Sequence, residues 1–236
     1  MIKWRVELSG DNYNLAELSK SFSSEKQMIS KESERYFLSS SNFNEISDAD
    51  IIHRKSEIIV GLINGGSKVI ECLKKPITVG SIESFDDSGK KNVYIYASTA
   101  LSFSAAVRPT LTINGIEQES LIYKNLPIWI MLAAHNENVA KVFKYLEIGN
   151  DDIDILYKIY EIIEDDVGGE KVITENKWAS SNKIGLFRRT ANSPDAIGIK
   201  ARHGVQKNQP PLKPMSLNES KSFISQLLKY WLDSKQ

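Results

Sequence analysis

The residue types best suited to chemistry gather between Phe187 and Gly204, where three arginines, one histidine and one asparagine fall within eighteen positions. The order is Phe187-Arg188-Arg189-Thr190-Ala191-Asn192-Ser193-Pro194, then Gly198, then Arg202-His203-Gly204. A guanidinium presents a rigid planar fork that matches phosphate or carboxylate oxygens, and an imidazole moves protons near neutral pH. Arg188, Arg189, Asn192 and Arg202 are therefore candidate anion-binding residues. Arg202 and His203 together form a candidate catalytic pair for metal-independent cleavage of a phosphodiester, with His203 as general acid or base. The competing role is internal. The arginines would pair with an acidic segment, and His203 would order the proline-rich stretch 209–214. Polar residues on loops are enriched in functional sites.

Other candidates carry less. The chain has no Walker A loop, no G-x-G-x-x-G, no G-x-S-x-G and no H-E-x-x-H, so no cofactor is expected. His53, beside Arg54, reads as a solvated helix residue. His135 falls between Leu132 and Val139 and reads as a hydrogen-bonded core or interface residue. His203 has no companions at zinc-ligand spacing, and no metal is expected. Cys72 stands in an apolar run, 69–73, and reads as a buried, inert thiol. The pairs Asp151-Asp152 and Asp165-Asp166 flank a helical segment. The first suits a helix N-terminus. The second sits where the helix dipole disfavours negative charge, so a basic group is expected beside it.

The charges cancel over the whole chain, with thirty Lys/Arg and thirty Asp/Glu, but not along it. Residues 167–236 hold twelve Lys/Arg against five Asp/Glu, and 149–166 hold seven acids and one lysine. Either the two blocks neutralise each other, or the basic block faces an anionic partner. Hydrophobic residues at 41% and charged residues at 25% exclude a largely disordered chain. The longest apolar run, 126–134, is far short of the ~20 residues that span a bilayer. No membrane partner is expected. The first ten residues lack the apolar core of a secretory signal, and a single cysteine fits a reducing compartment; the cytoplasm is expected.

These residues need elements to hold them. Trp4, Val6 and Leu8 alternate with Lys3, Arg5 and Glu7, the period of a half-buried strand. Leu15 and Leu18 mark a short helix, and 28–29 and 36–38 short strands. Ser47 and Asp50 have capping-box spacing, which starts a helix that Asn64-Gly65-Gly66 would end. Strand-like runs follow at 77–85, 92–98, 100–107 and 110–113, with turns at 86–89 and at Asn114-Gly115. From Pro127 the pattern becomes helical. Ile128, Leu132, Val139, Val142 and Leu146 predict one helix ending at Gly149, in which Trp129, His135 and Phe143 extend the apolar surface. Further helices are predicted over 151–164 and 180–191. A last helix begins at a Ser216/Glu219 capping box and buries Leu217, Phe223, Ile224, Leu227, Leu228, Trp231 and Leu232. The fold class is α+β: an N-terminal antiparallel sheet with a packed helix (1–120), then a helical region with a basic, proline-rich loop (126–236). The boundary is expected near 117–125.

The C-terminal quarter, from Trp178 to Leu232, resembles uncharacterised bacterial proteins. The shared residues are Phe187, Thr190-Ala191-Asn192, Gly198, Ala201-Arg202-His203-Gly204, Pro210-Pro211, Pro214-Met215 and the closing Trp231-Leu232. More distantly, a helical C-terminal region with an Arg/His element before its final helix is similar to the HEPN superfamily. Many of its members are RNases of bacterial conflict systems. Their arginine precedes the histidine by a few residues; here Arg202 abuts His203. The leading functional expectation is a bacterial accessory protein whose basic C-terminal region contacts an anionic partner, RNA or an acidic protein. The alternatives are a defence RNase using Arg202 and His203, and a structural subunit of a complex. A homodimer through the helical half is a further expectation, drawn from the broad apolar surface around Trp129 and Phe143.

Overall fold

Alternation of apolar and charged residues makes the first strand, β1 (Lys3–Ser9), the centre of a sheet. Trp4, Val6 and Leu8 are buried, as the alternation requires. The computed structural model describes residues 3–70, 72–73, 75–96, 112–113, 116–117, 123–149, 151–206 and 209–236. After β1 come α1 (Asn12–Ser21), β2 (Ser23–Ser24), β3 (Gln27–Glu32), β4 (Arg35–Ser39), α2 (Ala49–Val69), β5 (Thr78–Phe85) and β6 (Lys91–Tyr94). The strands form an antiparallel sheet in the order β2-β3-β4-β1-β5-β6. Val6 stands opposite Leu38 on one side and Ile82 on the other, so one face is continuous and apolar. The opposite face carries Arg5, which donates to the buried Glu83 at 2.6 Å and lies 4.1 Å from the centre of the Phe37 ring. Burial works against the Glu83 carboxylate. Hydrogen bonds and charge from Lys91 and Arg5 outweigh it and hold its pKa below the ordinary value.

A second antiparallel pair joins β7 (Thr112–Ile113) to β8 (Ile116–Glu117), with Ile113 opposite Ile116. The predicted Asn114-Gly115 turn, like the predicted strand 100–107, lies outside the described residues. The predicted turn at 86–89 forms, with Asp86 Oδ1 accepting from Ser88 and Lys90.

The helical part comprises α3 (Leu126–Ala133), α4 (Glu137–Ile148), α5 (Ile153–Val167), α6 (Glu170–Glu175), α7 (Ser181–Ala191), α8 (Pro194–Ile197) and α9 (Leu217–Asp233). The architecture is α+β. The chain divides into two compact units, Met1–Val60 with Cys72–Ile128, and Gly61–Glu71 with Trp129–Gln236. The expected boundary segment, 117–125, lies largely outside the described residues. No described helix is long and apolar enough to cross a membrane.

Several sequence expectations need correction. The helix predicted from 127 to 149 is two helices, because Asn136 leaves helical geometry and its side chain accepts from Val139 N, capping α4. His135 consequently sits exposed in the turn between them, not in the core. Trp129 and Phe143 are buried within the chain. His53 is not freely solvated: it stacks on Tyr96 with ring centres 4.0 Å apart. The cap of α2 is Asp48, whose Oδ1 accepts from Asp50 N at 2.8 Å, rather than Ser47. Helix α2 also runs straight through Gly65-Gly66 to Val69.

Packing explains that last difference. A β-carbon on Gly65 would overlap the backbone carbonyl of Phe143 in α4, so the glycine permits close helix contact instead of ending the helix. Gly185, inside α7, has nothing within 4 Å of where a β-carbon would stand. The two positions should respond oppositely to alanine. Gly65→Ala should destabilise the protein by about 1–3 kcal/mol through overpacking. Gly185→Ala should stabilise it by about 0.5–1 kcal/mol through helix propensity. Urea unfolding of both variants checks the pair; a loss at Gly185 would remove the distinction.

Candidate functional site

Helix α5 positions the basic residues. Its inward stripe, Ile153, Leu156, Tyr157, Ile159, Tyr160 and Ile163, is buried, and Gly168 closes it in the left-handed conformation with φ 89°. Its outward acids meet cations along the whole length. Asp151 pairs with Lys221, Glu161 with Arg202 at 3.0 Å, Glu164 with Arg188 at 3.7 Å, and Asp166 with Lys235 at 2.6 Å. Arg188 is also held by Glu170 of α6 at 3.2 Å, and Ser181 Oγ donates to the other oxygen of that carboxylate. Burial disfavours the Arg188 charge, but Glu164 restores it and raises the pKa above the ordinary value. The acidic and basic blocks of the sequence thus pair extensively.

Not every candidate is absorbed. Helix α7 starts at Ser180, whose Oγ accepts from Lys183 N, and ends with Arg188 and Arg189 in its last turn, where cations complement the dipole. The loop after it folds back. Arg202 N donates to Ala191 O at 2.9 Å, and Met215 N donates to Thr190 Oγ1 at 3.1 Å. Gln206 Oε1 accepts from Ser193 Oγ at 2.9 Å and from Asp195 N at 3.2 Å. These ties enclose an open cavity of about 250 Å³. One wall comes from Arg188, Arg189, Asn192 and Ser193; the other comes from His203, Gln206 and Gln209.

Four of the five sequence candidates, Arg188, Arg189, Asn192 and His203, share this cavity. Arg202 does not line it. Its guanidinium lies on Glu161, 4.8 Å from the centre of the Tyr157 ring. Arg202 and His203 adjoin in sequence but serve different surroundings. Arg189 donates to Gly185 O at 3.4 Å, and no described carboxylate pairs with it. Asn192 Nδ2 donates to Arg188 O at 2.8 Å, while its side-chain oxygen is buried without a donor. Sequence reasoning missed Ser193, Gln206 and Gln209; the available signal was a run of amide and hydroxyl side chains continuing past Gly204 toward Pro210. Among the described residues no group of three or more His, Cys, Asp or Glu could hold a metal ion. Chemically, the cavity offers guanidinium and amide donors, one orphan acceptor and one imidazole.

No family model, curated protein or solved structure matches the chain.

Asp166 ties the last helix to this frame. It accepts from Asn138 Nδ2 at 2.7 Å and from the buried Trp231 Nε1 at 2.8 Å, besides Lys235. Burial raises its pKa, but those three donors and the Lys235 charge outweigh burial and hold it below the ordinary value. Its contribution to stability is therefore complete above about pH 4 and is lost as pH falls through the lowered pKa. Asp166→Ala should cost about 2–3 kcal/mol near neutral pH, because it leaves the Trp231 N–H buried and unpaired. The neighbouring exposed Asp165 should tolerate alanine within about 0.5 kcal/mol. Urea unfolding at pH 7 and pH 3 measures both, and the gap between the variants should narrow at pH 3.

Proposed function

We propose that the chain is an accessory protein that contacts single-stranded RNA through the cavity at the end of α7. The observation that carries this reading is the convergence of Arg189, Asn192, His203 and Gln209 on one open cavity, with Arg189 free of any described carboxylate partner. Arg188 is a positioning residue in this reading, because Glu164 and Glu170 already hold its charge. Arg202 anchors the loop. The setting that suits this role is the bacterial cytoplasm, where a lone buried Cys72 stays reduced.

His203 keeps the RNase alternative specific, since it is the imidazole among the residues lining the cavity and imidazole is the commonest general acid or base. The position of Arg202 on Glu161 favours the binding reading over cleavage by an Arg202/His203 pair.

Fluorescence anisotropy with a labelled single-stranded oligoribonucleotide, titrated over a range of salt, tests the proposal. Log K should fall by about 0.7 for each phosphate neutralised, per decade of salt. Arg189→Ala should remove roughly one contact's share of that slope. Arg202→Ala should lower the melting temperature and leave the slope unchanged. His203→Ala should weaken binding modestly and leave the salt slope unchanged. Cleavage of the oligonucleotide in EDTA that drops about 10²–10⁴-fold in His203→Ala would replace binding with catalysis as the function. No binding at low salt would overturn the RNA reading and leave an acidic protein as the partner to seek.

A further inference from the structure

Arg188 lines the cavity, yet its charge is already met from within the chain. Two carboxylates approach the same nitrogen. Glu170 accepts from Arg188 Nη1 at 3.2 Å, and Glu164 lies 3.7 Å from it. Only the first separation is that of a hydrogen bond. The two acids also stand on different supports. Glu164 belongs to the long helix α5, fixed by its buried stripe. Glu170 opens the six-residue helix α6, just after Gly168 and Gly169. Their φ angles of 89° and 112°, which glycine adopts without strain, turn the chain out of α5. That turn carries Glu170 across to α7. There Ser181 Oγ donates to its Oε1 at 2.8 Å while Arg188 holds Oε2. One carboxylate thus bridges the first and last turns of α7.

A carboxylate and a phosphate make the same demand on a guanidinium. The Arg188 and Glu170 side chains are 43% and 31% exposed, so water reaches the pair. An ion pair this exposed is weak, and an anion entering the cavity contests it. We infer that Glu170 sets the affinity of the cavity for phosphate: it occupies the place on Arg188 that a second phosphate would take, and so limits the site to the one phosphate on Arg189. The inference rests on the RNA reading above and names the residue that restrains that contact.

Glu170→Gln tests it. The amide keeps the shape of the side chain and can still accept from Ser181, but it carries no charge, and the position is open enough that folding is not at stake. Anisotropy titration with the labelled single-stranded oligoribonucleotide should show affinity about fivefold higher at low salt. The salt slope should steepen by about 0.7, one further phosphate. Loss of any acid near a nucleic acid helps binding somewhat, so Glu175→Gln is the control. Glu175 lies on the same short helix and pairs with Lys171 at 3.6 Å. Its neutralisation should change affinity by less than about twofold, because screening weakens distant charges. Adding Arg188→Gln to Glu170→Gln should abolish the gain and restore the original slope. Thermal melts with inorganic pyrophosphate make the same comparison without RNA: the melting temperature should rise more in Glu170→Gln than in the unaltered protein.

Equal gains in Glu170→Gln and Glu175→Gln would overturn the role of Glu170, as would a gain that persists in the double variant. Suppose the oligoribonucleotide binds neither protein, while pyrophosphate still stabilises Glu170→Gln the more. The RNA reading then falls and the competition at Arg188 stands. If Glu170→Gln gains with neither probe, the inference is wrong, whatever the unaltered protein binds.

Discussion

A carboxylate at the wrong end of a helix has to be repaid in hydrogen bonds, and Asp166 near the end of α5 shows how the helical unit meets that requirement. The helix dipole disfavours its charge there. Three donors from two other helices and the C-terminal residues compensate: Asn138 of α4, Trp231 of α9 and Lys235. Burying the Trp231 indole commits α9 to one position against α5, since its N–H needs that acceptor. The rest of the basic C-terminal block then falls into place along the acidic face. Lys221 meets Asp151 at the other end of α5, and Arg202 and Arg188 meet Glu161 and Glu164 between.

This arrangement decides which cations remain for a partner. Part-exposed ion pairs contribute little stability singly, and several along one helix act mainly to fix register. Their effect on the site is subtractive. Arg188 and Arg202 arrive already compensated, so the local field of the cavity comes chiefly from Arg189. A net count of charges over residues 167–236 therefore overstates the attraction available to an anion. Of the two sequence alternatives, internal pairing holds for Arg188 and Arg202, and Arg189 is the arginine of the cluster with no described carboxylate partner.

How much of this was legible follows the range of the interactions involved. Strand β1, the turn at 86–89 and the Ser216/Glu219 capping box were readable because alternation and capping act within a few residues. The extent of α2 was not, because Gly65 answers to Phe143, a neighbour seventy-eight positions away, and not to its own chain geometry. The α3–α4 break had a local signal in Asn136, but the apolar periodicity across it hid the cap. Helix α6 escaped because six residues after a glycine pair carry too little pattern. In the site, composition located the segment from Phe187 to Gly204. It could not separate Arg202 from His203, since adjacent residues on an irregular loop point into different surroundings, and it stopped short of Gln206 and Gln209.

The cavity also differs in kind from the commonest phosphate sites. Those use a helix N-terminus, where free N–H groups and the positive end of the dipole attract the anion together. Here the wall is the C-terminal end of α7, whose carbonyls carry the opposite partial charge. Asn192 Nδ2 donates to the Arg188 carbonyl, one of the last four of the helix, and Arg189 donates to the Gly185 carbonyl one turn further in. Backbone geometry supplies no fallback, so the proposed contact depends on the side chain at Arg189. In the RNA reading, an anion site built on a guanidinium rather than on a ring of backbone N–H groups loses affinity readily to a single substitution, because nothing in the backbone replaces the lost donor.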